Sequence, residues 1–346
     1  MLLLPNAYRI YELFLYLPIP LISGLSPMRK HLQMLTRLSI VNTPFSVHTD
    51  PLSIFDECPR LTYIDITDVI STSRVFAFPW AQIQTYISKH AYVFWGPRGL
   101  KPSPRPRGLR SILEKATNLR QCDLSMELPS PNFTPNPLTC HHLVDLAIVI
   151  MENLDFDVHP LLQLFGNLTL PSLEYLEIKG RKGREIKAIE PNTIFTCVVD
   201  VIERSQCPLQ YLEYPDGTIM SEDLVRIVNA GPPLECLELE RVGWSDEPVN
   251  LSGFFHALAS ERNDVAVLPV LDTLVLSGQF EFEVNELLDM LEIRSARWPF
   301  KRITLEWISS DTVSESRVEA DVAAILKGVE KYRAAGLIFR ANAHKF

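Results

Sequence analysis

A six-residue phrase of the form apolar-x-x-apolar-x-apolar returns along this chain and constrains its fold more than any other feature. Clear instances are Leu35-Thr-Arg-Leu38-Ser-Ile40, Leu61-Thr-Tyr-Ile64-Asp-Ile66, Leu119-Arg-Gln-Cys122-Asp-Leu124 and Leu143-Val-Asp-Leu146-Ala-Ile148. They continue with Leu173-Glu-Tyr-Leu176-Glu-Ile178, Leu209-Gln-Tyr-Leu212-Glu-Tyr214, Leu234-Glu-Cys-Leu237-Glu-Leu239 and Leu271-Asp-Thr-Leu274-Val-Leu276. Weaker members begin at Ile83 (Ile83, Tyr86, Ser88) and Phe300 (Phe300, Ile303, Leu305). The closing apolar-x-apolar puts two side chains on one face of a strand, because alternate residues point the same way. The first apolar residue anchors the chain as it turns into that strand. Such a strand buries one face only when neighbours stack beside it, so repetition of the phrase predicts parallel units sharing one core.

Between the strands lie apolar residues at three-to-four spacing, the mark of amphipathic helices. These stretches are Pro51-Leu-Ser-Ile-Phe-Asp, Leu109 to Ala116, Pro160 to Phe165, Thr193 to Arg204, Glu222 to Asn229, Phe254 to Glu261 and Val284 to Ala296. Ser221 is placed to cap the helix at Glu222, and Asn250 or Ser252 the one containing Phe254. Strand, turn, helix and return predict an α/β leucine-rich-repeat solenoid, a horseshoe with its parallel sheet on the concave face and helices on the convex face. The anchors are 26, 22, 36, 24, 30, 36, 25, 37 and 29 residues apart, a divergent rather than strictly periodic array. Residues 35–310 are read as these irregular repeats, 1–34 as an N-terminal helical cap or remnant, and 311–346 as a C-terminal helical cap containing Val318 to Ala335. Within the first segment, Leu13 to Leu25 is apolar but interrupted by Pro18 and Pro20. It is too short to span a bilayer and lacks a signal peptide's basic start and cleavage site, so a helix packed on the end of the array is expected.

The phrase Cys58-Pro-x-Leu-x-x-Ile-x-Ile66, the element Phe78-Pro-Trp-Ala-Gln-Ile83 and the phrase Leu170-Pro-Ser-Leu-x-x-Leu-x-Ile178 carry a further signal. In them the chain resembles the leucine-rich part of fungal F-box proteins, especially the expanded families of mushroom-forming fungi, over most of residues 30 to 310. In that family an N-terminal F-box docks the adaptor of a cullin-type ubiquitin ligase and the repeats select the substrate. The resemblance therefore implies a protein substrate and a ligase adaptor as partners. Leu4-Pro5, Glu12-Leu13-Phe14 and Leu17 share residue types with the opening of an F-box, but their spacing departs from it and its later portion is not recognised. A truncated or adaptor-independent relative is expected; an adaptor-independent leucine-rich-repeat scaffold is the alternative.

Residues two and four places after each anchor are expected on the concave surface. The first position holds Tyr63, Tyr175 and Tyr211; the second holds Asp65, Asp123, Glu177, Glu213 and Glu238. Strands about 4.8 Å apart would crowd Glu177, Glu213 and Glu238, which come from consecutive units. That repulsion is relieved by a basic partner, and tyrosines supply the contact area common at binding hot spots. These eight residues form the predicted partner-binding set.

The net charge of −9, from 33 basic and 42 acidic residues, removes the general attraction to phosphate that most nucleic-acid binders use. No stretch reads as a membrane span. Cys58, Cys122, Cys140, Cys197, Cys207 and Cys236 are scattered without a CxxC pair, which suits a reducing, cytoplasmic or nuclear compartment. Glycosylation-type triplets at Asn132, Asn167 and Asn250 matter only in a secreted chain. Cys140-His141-His142 lacks a second ligand cluster and reads as a turn rather than a zinc site. The segments Trp95 to Gly108 and Pro129 to Pro137 read as exposed loops, the first including the Pro/Arg run Lys101 to Arg107. Lys179-Gly-Arg-Lys-Gly-Arg184 reads as a basic loop after a strand. GxSxG, GxxxxGK, HExxH and strand-following GxGxxG motifs do not occur, so neither an enzyme nor a cofactor is expected.

Overall fold

Every one of the ten anchors is followed two residues later by the start of a β-strand in the computed structural model, which describes residues 4–42, 52–69, 75–89, 108–126, 136–150, 159–180, 192–214, 219–242, 248–262, 265–309 and 315–345. The anchors themselves are buried, from Leu35, Leu61 and Ile83 to Leu271 and Phe300. The chain divides into two compact units, one of Met1–Asn153 with His159–Ser172, the other of Leu154–Val158 with Leu173–Phe346.

In the first unit the strands β1 (Glu12–Tyr16), β2 (Arg37–Val41), β3 (Tyr63–Thr67), β4 (Thr85–Lys89), β5 (Gln121–Met126) and β6 (Asp145–Ile150) lie side by side in chain order. All five pairings are parallel and keep one register, so that Arg37, Tyr63, Thr85, Gln121 and Asp145 are successive partners. One backbone contact repeats at each junction. The carbonyl of the residue after an anchor accepts two N–H groups from the next unit: Thr62 O takes Gln84 N at 2.9 Å and Thr85 N at 3.0 Å, and Gln84 O takes Arg120 N and Gln121 N at 2.8 and 3.0 Å. A carbonyl has two lone pairs, so one acceptor satisfies both donors at the entry to the next strand.

The backing of this unit differs from the periodicity's prediction. Helical spacing predicts a helix from Pro51, but Leu52 forms an isolated parallel bridge with Phe76 and residues 54–57 make turns. Six residues are too few to offset helix nucleation, and the large side chains instead join an aromatic cluster. Phe76 and Phe78 stack at 5.2 Å, Phe55 lies 6.0 Å from Phe78, and Trp80 meets Phe78 edge-on at 5.4 Å. Gln82 of the Pro-Trp-x-Gln element donates through Nε2 to the carbonyls of Cys58 (2.6 Å) and Leu61 (3.0 Å), tying two neighbouring units. Helices α1 (Gly108–Lys115) and α2 (His159–Asn167) fall where helical spacing predicts them.

In the second unit β7 (Tyr175–Gly180), β8 (Tyr211–Tyr214), β9 (Cys236–Val242), β10 (Thr273–Gly278), β11 (Arg302–Ser309) and β12 (Ile338–Lys345) are likewise adjacent, parallel and in chain order. Helices α3 (Asn192–Ser205), α4 (Ser221–Ala230), α5 (Ser252–Ala259), α6 (Val284–Ser295) and α7 (Glu315–Gly328) each pack on the next. Ser221 and Ser252 prove to be the first helical residues of α4 and α5 rather than their caps, Met220 and Leu251 taking those places; Asn250, one residue before Leu251, accepts Ser252 N–H through Oδ1 at 2.8 Å. Gly278 stands where a Cβ would lie 2.1 Å from the Val242 carbonyl oxygen, with a φ of 143°, so only glycine lets β9 and β10 close there. Arg294 on α6 is 1% exposed and donates to four backbone carbonyls, those of Leu258, Val267, Leu268 and Leu271. Its guanidinium lies 4.7 Å from the Phe300 ring, and burial lowers its pKa to about 10.

Each end of the chain adds a strand where a helical cap is expected. Leu13 to Leu25 begins in β1, followed by a single helical turn at Ile19–Ile22 and a 3-10 segment at Ser23–Met28. Pro18 and Pro20 explain this: proline fits the first turn of a helix and breaks its interior. Val318 to Ala335 is split at Val329 between α7 and a short helix, Glu330–Ala334. Gly336, at φ 107°, then turns the chain into β12. The loop segments from Trp95 to Arg107 and Pro129 to Pro135, with Arg181 to Arg184, lie outside the described residues.

Candidate functional site

Alternation on the strands leaves one sheet face buried and the other partly open, as the pattern of β3 (Tyr63 to Thr67, alternately half-buried and buried) illustrates. The eight predicted partner-binding residues all lie on the half-buried rows. The two units use them differently.

In the first unit the predicted acids are not neighbours. Asp65 pairs in register with Ile87, and Ile87 with Asp123, so one strand separates the two carboxylates. Tyr63 is already occupied: the guanidinium of Arg37, its register partner on β2, lies 4.4 Å from the ring centre. Arg37 also stands 3.9 Å from Glu12 of β1. An acid that the reading of the repeats passes over, Asp145, accepts a hydrogen bond from Gln121 Nε2 at 3.0 Å. Burial chiefly, and then the charge of Asp123, raises its pKa.

In the second unit the expected crowding is present. Glu177, Glu213 and Glu238 are successive register partners on β7, β8 and β9. The chain itself relieves part of it. Lys179 Nζ pairs with Glu177 and stands 3.0 Å from Glu213. Tyr175 and Tyr211 stack face to face, with centres 4.4 Å apart and planes 6° from parallel. The Tyr175 hydroxyl reaches Glu177 Oε2 at 3.3 Å, while that of Tyr211 lies 3.0 Å from Glu213 Oε2 and 3.3 Å from Glu238 Oε2. One proton serves two carboxylates there, and burial with the charges of Glu213 and Glu238 pushes the Tyr211 pKa up. Among the described residues Glu238 has that hydroxyl as partner and no cation within salt-bridge distance.

The spacing alone places Lys179 in a basic loop, yet it sits on β7 two places after Glu177 and therefore on the same face. The period of two is the signal that finds it; its span across to Glu213 depends on register, which no single strand reveals. Cys140, His141 and His142 precede β6, where the His141 carbonyl accepts the Ser172 hydroxyl at 2.7 Å. No group of three metal-ligating side chains gathers among the described residues. Nor is any described helix long and apolar enough to cross a membrane. Chemically, the second unit presents an aromatic pair flanked by anionic oxygens, an arrangement suited to holding a cation and a flat side chain. No model of a known protein family and no curated protein matches the chain.

Proposed function

We propose that this chain is a protein-recognition module, a leucine-rich-repeat horseshoe that binds a basic segment of another protein along the open sheet face of its second unit. The observation that carries the reading is the in-register row Glu177, Glu213 and Glu238 beside the stacked Tyr175 and Tyr211. Of three carboxylates at strand spacing, Glu177 and Glu213 share one lysine and Glu238 has none among the described residues, so a partner's positive charge gains attraction that the chain's own cations leave over. Tyrosine adds contact area at little conformational cost. Reversing Glu177, Glu213 and Glu238 to lysine together is expected to abolish capture of the partner; undiminished capture sinks the reading.

The resemblance to fungal F-box proteins extends this to a role: selecting the substrate of a cullin-type ubiquitin ligase. A pull-down of the ligase adaptor by the chain tests that step. Capture supports it, whereas failure leaves the chain as an adaptor-independent leucine-rich-repeat scaffold with the same binding face.

A further inference from the structure

On the row two places after the anchors, β7 to β11 present Tyr175, Tyr211, Cys236, Thr273 and Arg302 in consecutive register. Tyr175 covers one face of the Tyr211 ring. The neighbour on the other side is Cys236, whose thiol is too short to cover a phenol ring, and Thr273 beyond it is also small. With strands about 4.8 Å apart, this leaves a shelf beside Tyr211 deep enough for one planar group. Glu238 borders the shelf from the next row, where its register partner Val275 is buried.

The first unit shows what a tyrosine ring on this row can hold. There Arg37, one strand over from Tyr63, lays its guanidinium 4.4 Å from the tyrosine ring centre. Beside Tyr211 that preceding place is held by Tyr175, and Cys236 stands on the following side, where Tyr63 has Thr85. The charge at the shelf is favourable as well. Cys236 is pushed up to about 12 by burial first and then by the charges of Glu238 and Asp272, with Arg302 pulling the other way. Arg302 stands two strands beyond Cys236 and has its Nε 3.5 Å from Thr304 Oγ1, which sets the far limit of the shelf.

We propose that the segment recognised by this face carries an arginine whose guanidinium stacks on the free face of Tyr211 above Cys236 and pairs with Glu238. This rests on the reading of the face as a site for basic protein segments and sharpens it to one side chain. Arginine is preferred to lysine because its planar group can stack on the ring and bond a carboxylate through two N–H groups at once, whereas an ammonium is a compact, strongly hydrated charge.

The test uses the full chain and three synthetic nonapeptides, (Arg-Ser)4-Gly and its lysine and citrulline counterparts, titrated at fixed low salt. The arginine peptide is expected to bind about tenfold more tightly than the lysine peptide, and the citrulline peptide not measurably. Cys236→Tyr fills the shelf and is expected to erase the arginine preference, bringing the arginine peptide down to the affinity of the lysine peptide. Glu238→Gln is expected to weaken arginine-peptide binding about tenfold. Cys236→Leu, a smaller filler, serves if the tyrosine variant fails to fold as judged by circular dichroism, and Glu238→Gln decides alone if both do. Equal binding of the arginine and lysine peptides, or a preference that survives the filled shelf, overturns the arginine site while leaving a general basic-segment surface standing. Failure of both cationic peptides to bind overturns that surface too.

Discussion

The two units of this chain run the same strand phrase through different surroundings. Behind β3 and β4 the first unit packs Phe55, Phe76, Phe78 and Trp80 in turns and a bridge, while the second backs its strands with helices α3 to α7. On the open face each tyrosine has a covered side and a small neighbour on the other: Tyr63 lies against Arg37 and faces Thr85, whereas Tyr211 stacks on a second tyrosine, Tyr175, and faces Cys236. The strand phrase therefore specifies the rung and little else. What backs a rung, and what stands on its open side, are set separately, so one unit can space its acids a strand apart while the other lines three of them up in register.

The sharpest way to break that comparison is to attack each backing. Phe55→Ala removes the fully buried ring at the centre of the first unit's aromatic cluster and is expected to cost about 3–5 kcal/mol. Arg294→Met strips four carbonyls of their donors in the second unit and is expected to cost about 3 kcal/mol or more. Urea denaturation read by hydrogen exchange should show each loss concentrated in its own unit. A loss under about 1 kcal/mol for either variant would mean that its backing is not what holds the strands.

A smaller effect comes from alkali. Burial, aided by Asp56 and Glu57, pushes the Cys58 thiol up to about 12, against an ordinary value of 9.0. The unfolded thiol therefore ionises first. Stability is intact below pH 9 and falls as pH rises from there towards 12, by about 1 kcal/mol at pH 10 from this group. Cys58→Ala should flatten that slope in denaturation midpoints measured between about pH 8 and about pH 10.5; an unchanged slope assigns the alkaline loss to other groups.

The smallest expected change is the most informative for the open face. Arg37→Ala uncovers Tyr63 and, at so exposed a site, should alter stability by about 0.5 kcal/mol or less. It should also give the first unit a new, weak affinity for the arginine nonapeptide, visible as a shift of the Tyr63 ring resonances. No shift would mean that ring and register alone do not make a guanidinium site, and that the carboxylate beside Tyr211 is essential.

Much of this is legible in the residues. All ten anchors lead to strands, because a buried anchor three places before a buried pair is a local pattern that stacking enforces. β1 is legible in principle: Ile10, Leu13 and Leu15 repeat the phrase, and the Tyr11 carbonyl accepts Thr36 and Arg37 N–H as the other junction carbonyls do. The apolar run through Leu25 masks it by suggesting a helix. β12 is not legible, since Gly336 and Ala341 stand where large apolar residues are expected. On the face, the row of glutamates follows from spacing alone, but the reach of Lys179 to Glu213 and the ring stack of Tyr175 on Tyr211 need the register between strands. The aromatic backing escapes because six residues at helical spacing do not say whether a helix or a cluster wins.

The doubled carbonyl that recurs along both units has a consequence for how such a chain can change over time. The two-residue step from anchor to strand never varies across the ten rungs, since lengthening it would leave two donors unmet at once, while the stretches between one strand and the next anchor range widely. Insertions are thus confined to the outer loops, and point changes on the half-open rows leave the staircase untouched. A lineage could duplicate, lengthen or redecorate individual steps and so acquire new targets without relearning how to fold.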